Sequence, residues 1–369
     1  MKYHDLLGLS PQEFVDLTEH LQSDSYEGHD YRHLPGYRKS VEKGTVLIAD
    51  TVVRGFPKVP RCLVLDEGIP QHFDREIAIE EKLNGYNVRI ARVDGEIVSF
   101  TRSGIICPFT THKVRSRLPL ESFFDSHPET MLCGEMIGPE NPYTPADCYD
   151  VESIAFRAFD IRDQVSGEPV DLRKRREICE KWSIPQTELF GIYEPHEAVE
   201  ATPERVRQLD ADGREGVIMK TMDGRQQLKY TTAAANQGDL AFAFEFPFDY
   251  GRAFAFRRLI REGFQTVEFD ENEARRRERA HSLGASLLEP MANSIERIDG
   301  GERIGERHTV RAEPRVVDRL LEHFRDQGLT VDIEADRRVD GERVLTFTKR
   351  IQRTNDKVES YLNGTIVRE

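Results

Sequence analysis

A chain of 369 residues with 38% hydrophobic and 32% charged residues has material for two to four domains and a very polar surface. No apolar run approaches the roughly 18 residues that span a bilayer, and the N-terminus lacks a basic-then-apolar signal, so a cytoplasmic protein without membrane contact is expected. The formal charge of −14 argues at first sight against nucleic acid, but net charge describes solubility and field rather than one local groove.

Residues 1–60 read as a small leading module. Ser10-Pro11-Gln12-Glu13 is a capping box with Pro at N1 and predicts a helix through about Leu21. A Tyr-, His- and Gly-rich loop and a strand, Thr45 to Ala49, come next. From 61 the pattern is strand-rich: Ile77 to Glu81, Tyr86 to Val93 and Ile97 to Arg102, with Asp94-Gly95 as a tight turn, then Met131 to Ile137 and Ile154 to Ile161. Helices are expected over Leu172 to Ser183 and from Thr202-Pro203-Glu204 onward, the second with Thr202 as N-cap. Glu215 to Lys220 and Gln226 to Tyr230 read as a hairpin around Asp223-Gly224. Phe242, Phe244, Phe246, Phe248 and Tyr250 alternate, which predicts a strand with five aromatics on one face. That face serves a core, a subunit interface or base stacking. Glu273 to Leu288 is helical, and its Arg275, Arg276, Arg277 and Arg279 form a solvated face or an RNA-backbone contact. The last unit reads helix (Arg315 to Gln327), strand (Leu329 to Ala335), an Asp340-Gly341 turn, strand (Arg343 to Lys349) and helix (Arg353 to Leu362).

Cys62, Cys107, Cys133, Cys148 and Cys179 are scattered without a Cys-x-x-Cys pair, so they read as reduced, packed thiols. Lysine is scarce, 12 against 40 arginines. Abundant acids with few lysines fit a host cytoplasm of very high salt. Arginine stays charged at working pH, whereas lysine can shed its proton and become a nucleophile. An ammonium of ordinary pKa is neutral in only about one molecule in 2,500 at pH 7, so a lysine nucleophile needs neighbouring cations, a metal or desolvation. Lys82 stands between Glu80-Glu81 and Leu83-Asn84-Gly85. Alone, this also describes a surface lysine before a hairpin turn. Five downstream segments set Lys82 apart: Thr101-Arg102-Ser103-Gly104, Gly134-Glu135, Phe156-Arg157-Ala158-Phe159-Asp160-Ile161, Glu215-Gly216-Val217-Ile218-Met219-Lys220 and Leu228-Lys229-Tyr230. All sit on expected strands or strand ends.

These motifs, in this order, resemble those of the covalent nucleotidyltransferases, which include ATP-dependent DNA and RNA ligases and mRNA capping enzymes. Glu81 to Arg89 (Glu-Lys-Leu-Asn-Gly-Tyr-Asn-Val-Arg) is similar to the active-site strand of the homodimeric archaeal ATP-dependent RNA ligases. Arg54-Gly55-Phe56-Pro57-Lys58-Val59-Pro60-Arg61 and Leu228-Lys229-Tyr230-Thr231-Thr232 resemble that family too. The resemblance runs essentially the whole chain and is most specific in 80–230. It implies an α+β fold: a small N-terminal module (1–60), an antiparallel-sheet nucleotidyltransferase core of ATP-grasp-like ligase type (61–232), a dimerisation domain (233–312) and a small α/β C-terminal domain (313–369).

The resemblance implies that Lys82 takes AMP from ATP as a phosphoramidate, passes it to an RNA 5′-phosphate, and lets a 3′-hydroxyl displace it, with circularisation of RNA among the outcomes. Nucleotide contacts are then expected from Glu80, Glu81, Leu83, Asn84, Arg89, Arg102, Glu135, Phe159, Lys220 and Lys229. Arg102 and Arg89 grip phosphate or ribose, Glu135 receives ribose hydroxyls, and Phe159 stacks on adenine, with core packing as its other role and that of Phe156. Lys220 and Lys229 face the α-phosphate, and Glu215 holds Mg²⁺ or Mn²⁺. Glu80 and Glu81 read adenine or are solvated strand residues. Two departures stand out: Asn84 replaces the Asp of many ligases, and Lys229 is followed by Thr231 rather than a second lysine. The alternatives are a DNA ligase, a GTP-dependent capping-type enzyme, and a non-catalytic, nucleotide-responsive RNA-binding protein.

Overall fold

A computed structural model describes residues 2–366. The chain opens with α1 (Tyr3–Leu7), α2 (Pro11–Thr18) and a four-stranded sheet, β1 (Gln22–Tyr26), β2 (His29–His33), β3 (Val46–Ile48) and β4 (Thr51–Val53). Ser10 and Glu13 close the expected capping box, although α2 stops at Thr18, short of Leu21. Then come α3 (Leu65–His72), β5 (Ile77–Lys82), β6 (Tyr86–Val93), β7 (Glu96–Thr101), α4 (Pro108–Arg117), α5 (Leu120–Ser126), β8 (Thr130–Ile137), β9 (Ala155–Asp163), α6 (Leu172–Lys181), β10 (Leu189–Tyr193), α7 (Pro195–Ala211), β11 (Gly216–Thr221) and β12 (Gln227–Thr231). Three helices follow, α8 (Ala233–Glu245), α9 (Arg252–Glu268) and α10 (Glu273–Asp299). The chain closes with β13 (Gly305–Ala312), α11 (Pro314–Asp326), β14 (Val331–Val339), β15 (Glu342–Arg350) and α12 (Gln352–Leu362).

The strands between 77 and 231 form two antiparallel sheets, β10-β5-β11-β12 and β7-β6-β8-β9. Strand periodicity decides what each face of the first sheet does. Ile77, Ile79, Val217, Met219, Leu228 and Tyr230 pack against α3 and α7 in one apolar cluster. The alternate residues, among them Glu80, Lys82, Lys220 and Lys229, are left for the other face. The second sheet packs on α4 and α5 and also on β13, α11 and β15, so one core spans the middle and the end of the chain.

Three local expectations fail for identifiable reasons. Phe242 to Tyr250 is no strand: Thr232 caps α8, which carries the chain to Glu245, and the alternation breaks up. Phe246 is buried with Ile298, Ile304 and Val358, whereas Phe242 stays 39% exposed. Thr202 is not an N-cap but a buried residue inside α7, its hydroxyl donating to the Ala198 carbonyl; the capping box is made by Glu194 and Glu197 instead. Asn84-Gly85 is no hairpin turn either, because β5 and β6 belong to different sheets. Gly85 is demanded by proximity, since a Cβ there would lie 2.2 Å from the Met136 carbonyl oxygen. Asp94-Gly95 and Asp340-Gly341, with both residues at positive φ, are the tight turns that the sequence predicts.

Candidate active site

A cleft of about 680 Å³ opens over the first sheet and is closed by β6, β8, β9 and residues of the leading segment. Cross-strand register sets its floor in three rows. Lys82 lies opposite Gly216, which lies opposite Thr231; Glu80 opposite Ile218 and Lys229; Ala78 opposite Lys220 and Gln227. Residues directly opposite one another share a face, so both lysines of β11 and β12 point to the side of Lys82. Lys82 Nζ forms an ion pair with Glu215, the residue that leads into β11, and both are half-buried.

Deeper in the cleft, the charges are locked together. Glu80 is 1% exposed and receives one terminal nitrogen of Arg175 from α6 on each carboxylate oxygen, with Lys220 Nζ 2.7 Å from Oε2. Lys220 also donates to the Phe159 carbonyl at 2.9 Å, and Arg175 donates to the same carbonyl. Burial opposes the ionised form of Glu80, but Lys220 and Arg175 outweigh it and hold the carboxyl below its ordinary range. At the mouth the balance is looser. Burial, reinforced by Arg61 and Lys82, pushes the Lys229 ammonium down to about 8. Burial pushes Glu135 up to about 8, against the pull of Lys82 and with the charge of Glu215 adding to the rise.

Phe159 forms part of the wall, edge to face with Phe56 at 5.1 Å, whereas Phe156 is buried in the core behind the second sheet. The Asn87 Oδ1 atom, across from Glu135 on β6, is buried without a hydrogen-bond partner. Three lysine side chains, carboxylates and an aromatic wall in one cleft have the chemistry to hold a nucleotide's phosphates, ribose and base.

Comparison with known proteins gives the same direction. The RNA ligase family matches residues 75–231, and the C-terminal region of the Pab1020 ligase matches residues 242–365. An uncharacterised protein of Methanocaldococcus jannaschii is 40% identical over 341 residues, 89% of this chain and 86% of the other. A solved archaeal ATP-dependent RNA ligase is 36% identical, covers 99% of this chain and 98% of its own, and superposes with a TM-score of 0.93. The chain belongs to the archaeal ATP-dependent RNA ligase family. A chain of Aquifex aeolicus, provisionally described as an ATP-dependent DNA ligase, shares the family's fold at 24% identity, with a TM-score of 0.90 over 97% of this chain and 100% of that one.

Against this family's cleft, the residues singled out by sequence separate clearly. Lys82, Leu83, Arg102, Glu135, Phe159, Lys220 and Lys229 line it, with Glu215 held on Lys82. Glu80 also borders it, but as a buried ion-pair hub rather than a solvated residue. The Glu81 side chain turns to the opposite face and accepts from Arg214 at 2.8 Å; its backbone carbonyl, at the cleft, accepts from Thr187. Asn84 offers only its N–H, to the Tyr149 hydroxyl at 2.5 Å, and does not line the cleft. Arg89 is the clear correction. It is fully buried and donates to the carbonyls of Arg54, Gly44 and Thr101, pinning the leading module to β6; burial lowers it to about 10. It cannot grip a phosphate. Sequence reasoning missed Arg175, whose place in α6 carries no motif, and gave no role to Phe56, Lys58 or Asn87, although all three lie within its motifs.

Proposed function

We infer that this ATP-dependent RNA ligase works through a covalent lysyl-AMP on Lys82. What carries the reading is the row Lys82–Gly216–Thr231 beside Glu80–Ile218–Lys229, which places the amine, Glu215 and the perturbed Lys229 at one end of a nucleotide-sized cleft. Lys82 Nζ attacks the α-phosphorus of ATP, the N–P bond forms, the bond to pyrophosphate breaks, and a proton leaves Nζ. An oxygen of the RNA 5′-phosphate then attacks the same phosphorus, the N–P bond breaks and Lys82 leaves as the free amine, and a 3′-hydroxyl finally attacks the RNA 5′-phosphorus, giving up its proton and releasing AMP. Positioning and charge neutralisation dominate such transfers. Lys229 stabilises charge on the transferring phosphate. Two of the three Lys220 donors are taken by Glu80 and Phe159, which leaves one for a phosphate oxygen. Phe159 offers its ring to adenine, and Glu135 with Asn87 accepts from and donates to ribose hydroxyls.

Among the described residues, no group of three or more His, Cys, Asp or Glu side chains is arranged to hold a metal. Glu215 fits a Mg²⁺ or Mn²⁺ ion that takes its remaining ligands from phosphate and water. Such an ion supplies charge neutralisation for the polyphosphate.

A homodimer through 233–312 is part of the proposal. Phe256, Ile260, Phe264 and Val267 form an exposed apolar stripe along α9. Light scattering at the mass of one chain would reject it. Circularisation of one RNA carrying both ends, a cytoplasmic setting and a high-salt host complete the reading; among the described residues no helix is long and apolar enough to cross a membrane. The deciding experiment is incubation with α-labelled ATP or GTP and Mg²⁺ or Mn²⁺, then a denaturing gel. Retained label with ATP, lost in Lys82→Ala, is the expected result; no adduct with either nucleotide in low or high salt overturns it.

A further inference from the structure

Beyond the row that ends at Thr231 lies a feature that the lysyl-AMP chemistry leaves unused. Arg61 and Arg261, from the leading segment and from α9, each donate to the Thr231 hydroxyl, at 2.6 and 2.9 Å. Two guanidiniums thus meet on one neutral oxygen. The nearby acids are spent elsewhere: Asp239 is paired with Arg258, and Glu262 with Arg279, Asn236 and Gln237. Among the described residues neither Arg61 nor Arg261 has an ion pair with a carboxylate within 4.0 Å. Burial depresses both; the charge of Arg61 presses Arg261 further, to about 9, while Glu215 partly offsets the effect at Arg61. In a chain of net charge −14, two converging cations that no carboxylate pairs directly call for an anion from outside.

The geometry points that anion toward Lys82. Arg61 bridges to Lys229 through the backbone, Cys62 N–H donating to the Lys229 carbonyl and Lys229 N–H to that of Pro60. Thr231 is two strands from Lys82, so their backbones are about 10 Å apart at ordinary strand spacing. Between them stands Gly216, at φ +142°, where a Cβ would come within 2.2 Å of the Tyr230 carbonyl oxygen. No side chain fills the middle of that row. The hollow that Arg61, Thr231 and Arg261 line encloses only about 10 Å³, enough for one water-sized group, so a phosphate has to lie at its mouth rather than inside it.

We propose that Arg61 and Arg261, joined at Thr231, form a phosphate subsite that presents a substrate phosphate to the Lys82 centre. The inference rests on the assignment of the cleft to lysyl-AMP chemistry. Two substrate phosphates have the right chemistry, the 5′-phosphate of the RNA end and the terminal phosphates of ATP. Planar guanidinium forks suit either.

Binding measurements test it, all in the Lys82→Ala protein so that adduct formation does not enter. A 3′-labelled oligoribonucleotide is titrated with 5′-phosphate or 5′-hydroxyl, and ATP is compared with AMP. With Arg61 and Arg261 intact, a preference of about tenfold or more is expected either for the 5′-phosphate or for ATP over AMP. The first places the RNA end in the subsite, the second the ATP tail. The preference should vanish in Arg61→Gln and Arg261→Gln and return in part in Arg261→Lys. The subsite is rejected if the intact pair shows neither preference, or if correctly folded Gln variants keep it. Should the Gln variants unfold, the Arg61→Lys and Arg261→Lys pair, which keeps charge and loses the fork, decides by the same ratio. Failure here leaves the lysyl-AMP reading standing, and failure of the labelled gel leaves these ratios valid.

Discussion

The deep and outer ends of one cleft treat charge in opposite ways. At the deep end, Glu80 accepts from Arg175 and lies beside Lys220, all three almost fully buried and interlocked through the Phe159 carbonyl. At the outer end, Lys82 has Glu215, while among the described residues Lys229, Arg61 and Arg261 have no carboxylate paired with them within 4.0 Å. Buried charges that satisfy one another build a shape; cations held apart from any acid wait for a phosphate. The same residue types therefore predict different costs when they are removed.

The largest effect is expected at the outer end without loss of fold. Lys82→Ala should abolish the labelled adduct while its melting temperature stays near the wild type's; an early melt would mean that the ion pair with Glu215 is structural. The deep end should behave the other way. Glu80→Ala strands Arg175 and Lys220 without their counter-charge and should cost about 3–5 kcal/mol in denaturant unfolding. A loss below about 1 kcal/mol would erase the contrast between the two ends.

Smaller effects sharpen it. Phe159→Ala removes the wall offered to adenine and should weaken ATP by about 1–3 kcal/mol, roughly five- to a hundredfold, read by calorimetric titration. Lys229 is charged below about pH 8 and neutral above it, so kcat/KM for ATP should fall as pH rises through that value. Lys229→Arg stays charged and should remove the fall. Glu135 tests stability rather than binding. Its carboxyl, raised to about 8, holds a proton in the folded state that the unfolded chain has lost. Stability should therefore decline from the ordinary carboxylate range up to about pH 8, and Glu135→Gln should flatten that slope in pH-dependent melting.

Most of the cleft was legible because its residues sit on strands at period two, where a motif also reports a face. Lys82, Lys220 and Lys229 are such cases. Arg89 misled for the opposite reason: it lies on the strand that follows Lys82, but its face is covered by the leading segment, a tertiary fact with no local signal. Arg175 was invisible because it comes from a helix nearly a hundred residues downstream of Glu80, and an arginine in a run of Arg and Lys looks solvated. The aromatic alternation of Phe242 to Tyr250 failed where a capped helix overrode a pattern of two. Thr202-Pro203 looked like a start because Pro suits a first turn, yet α7 absorbs it in mid-course.

The core shared between the second sheet and the chain's end has a thermodynamic meaning. Val310, Val317, Leu320, Phe324 and Phe347 are buried with Tyr86, Val88, Phe109 and Phe123 in one cluster. Polar ties cross the same seam, His308 to the Asn141 carbonyl at 3.1 Å and Lys349 Nζ to that of Pro142 at 2.5 Å. Pieces that share a core lose it together, so these two stretches form a single cooperative unit of unfolding. The stretch from β13 onward is a keystone of the sheets before it, and cutting it away would leave them with an open apolar wound.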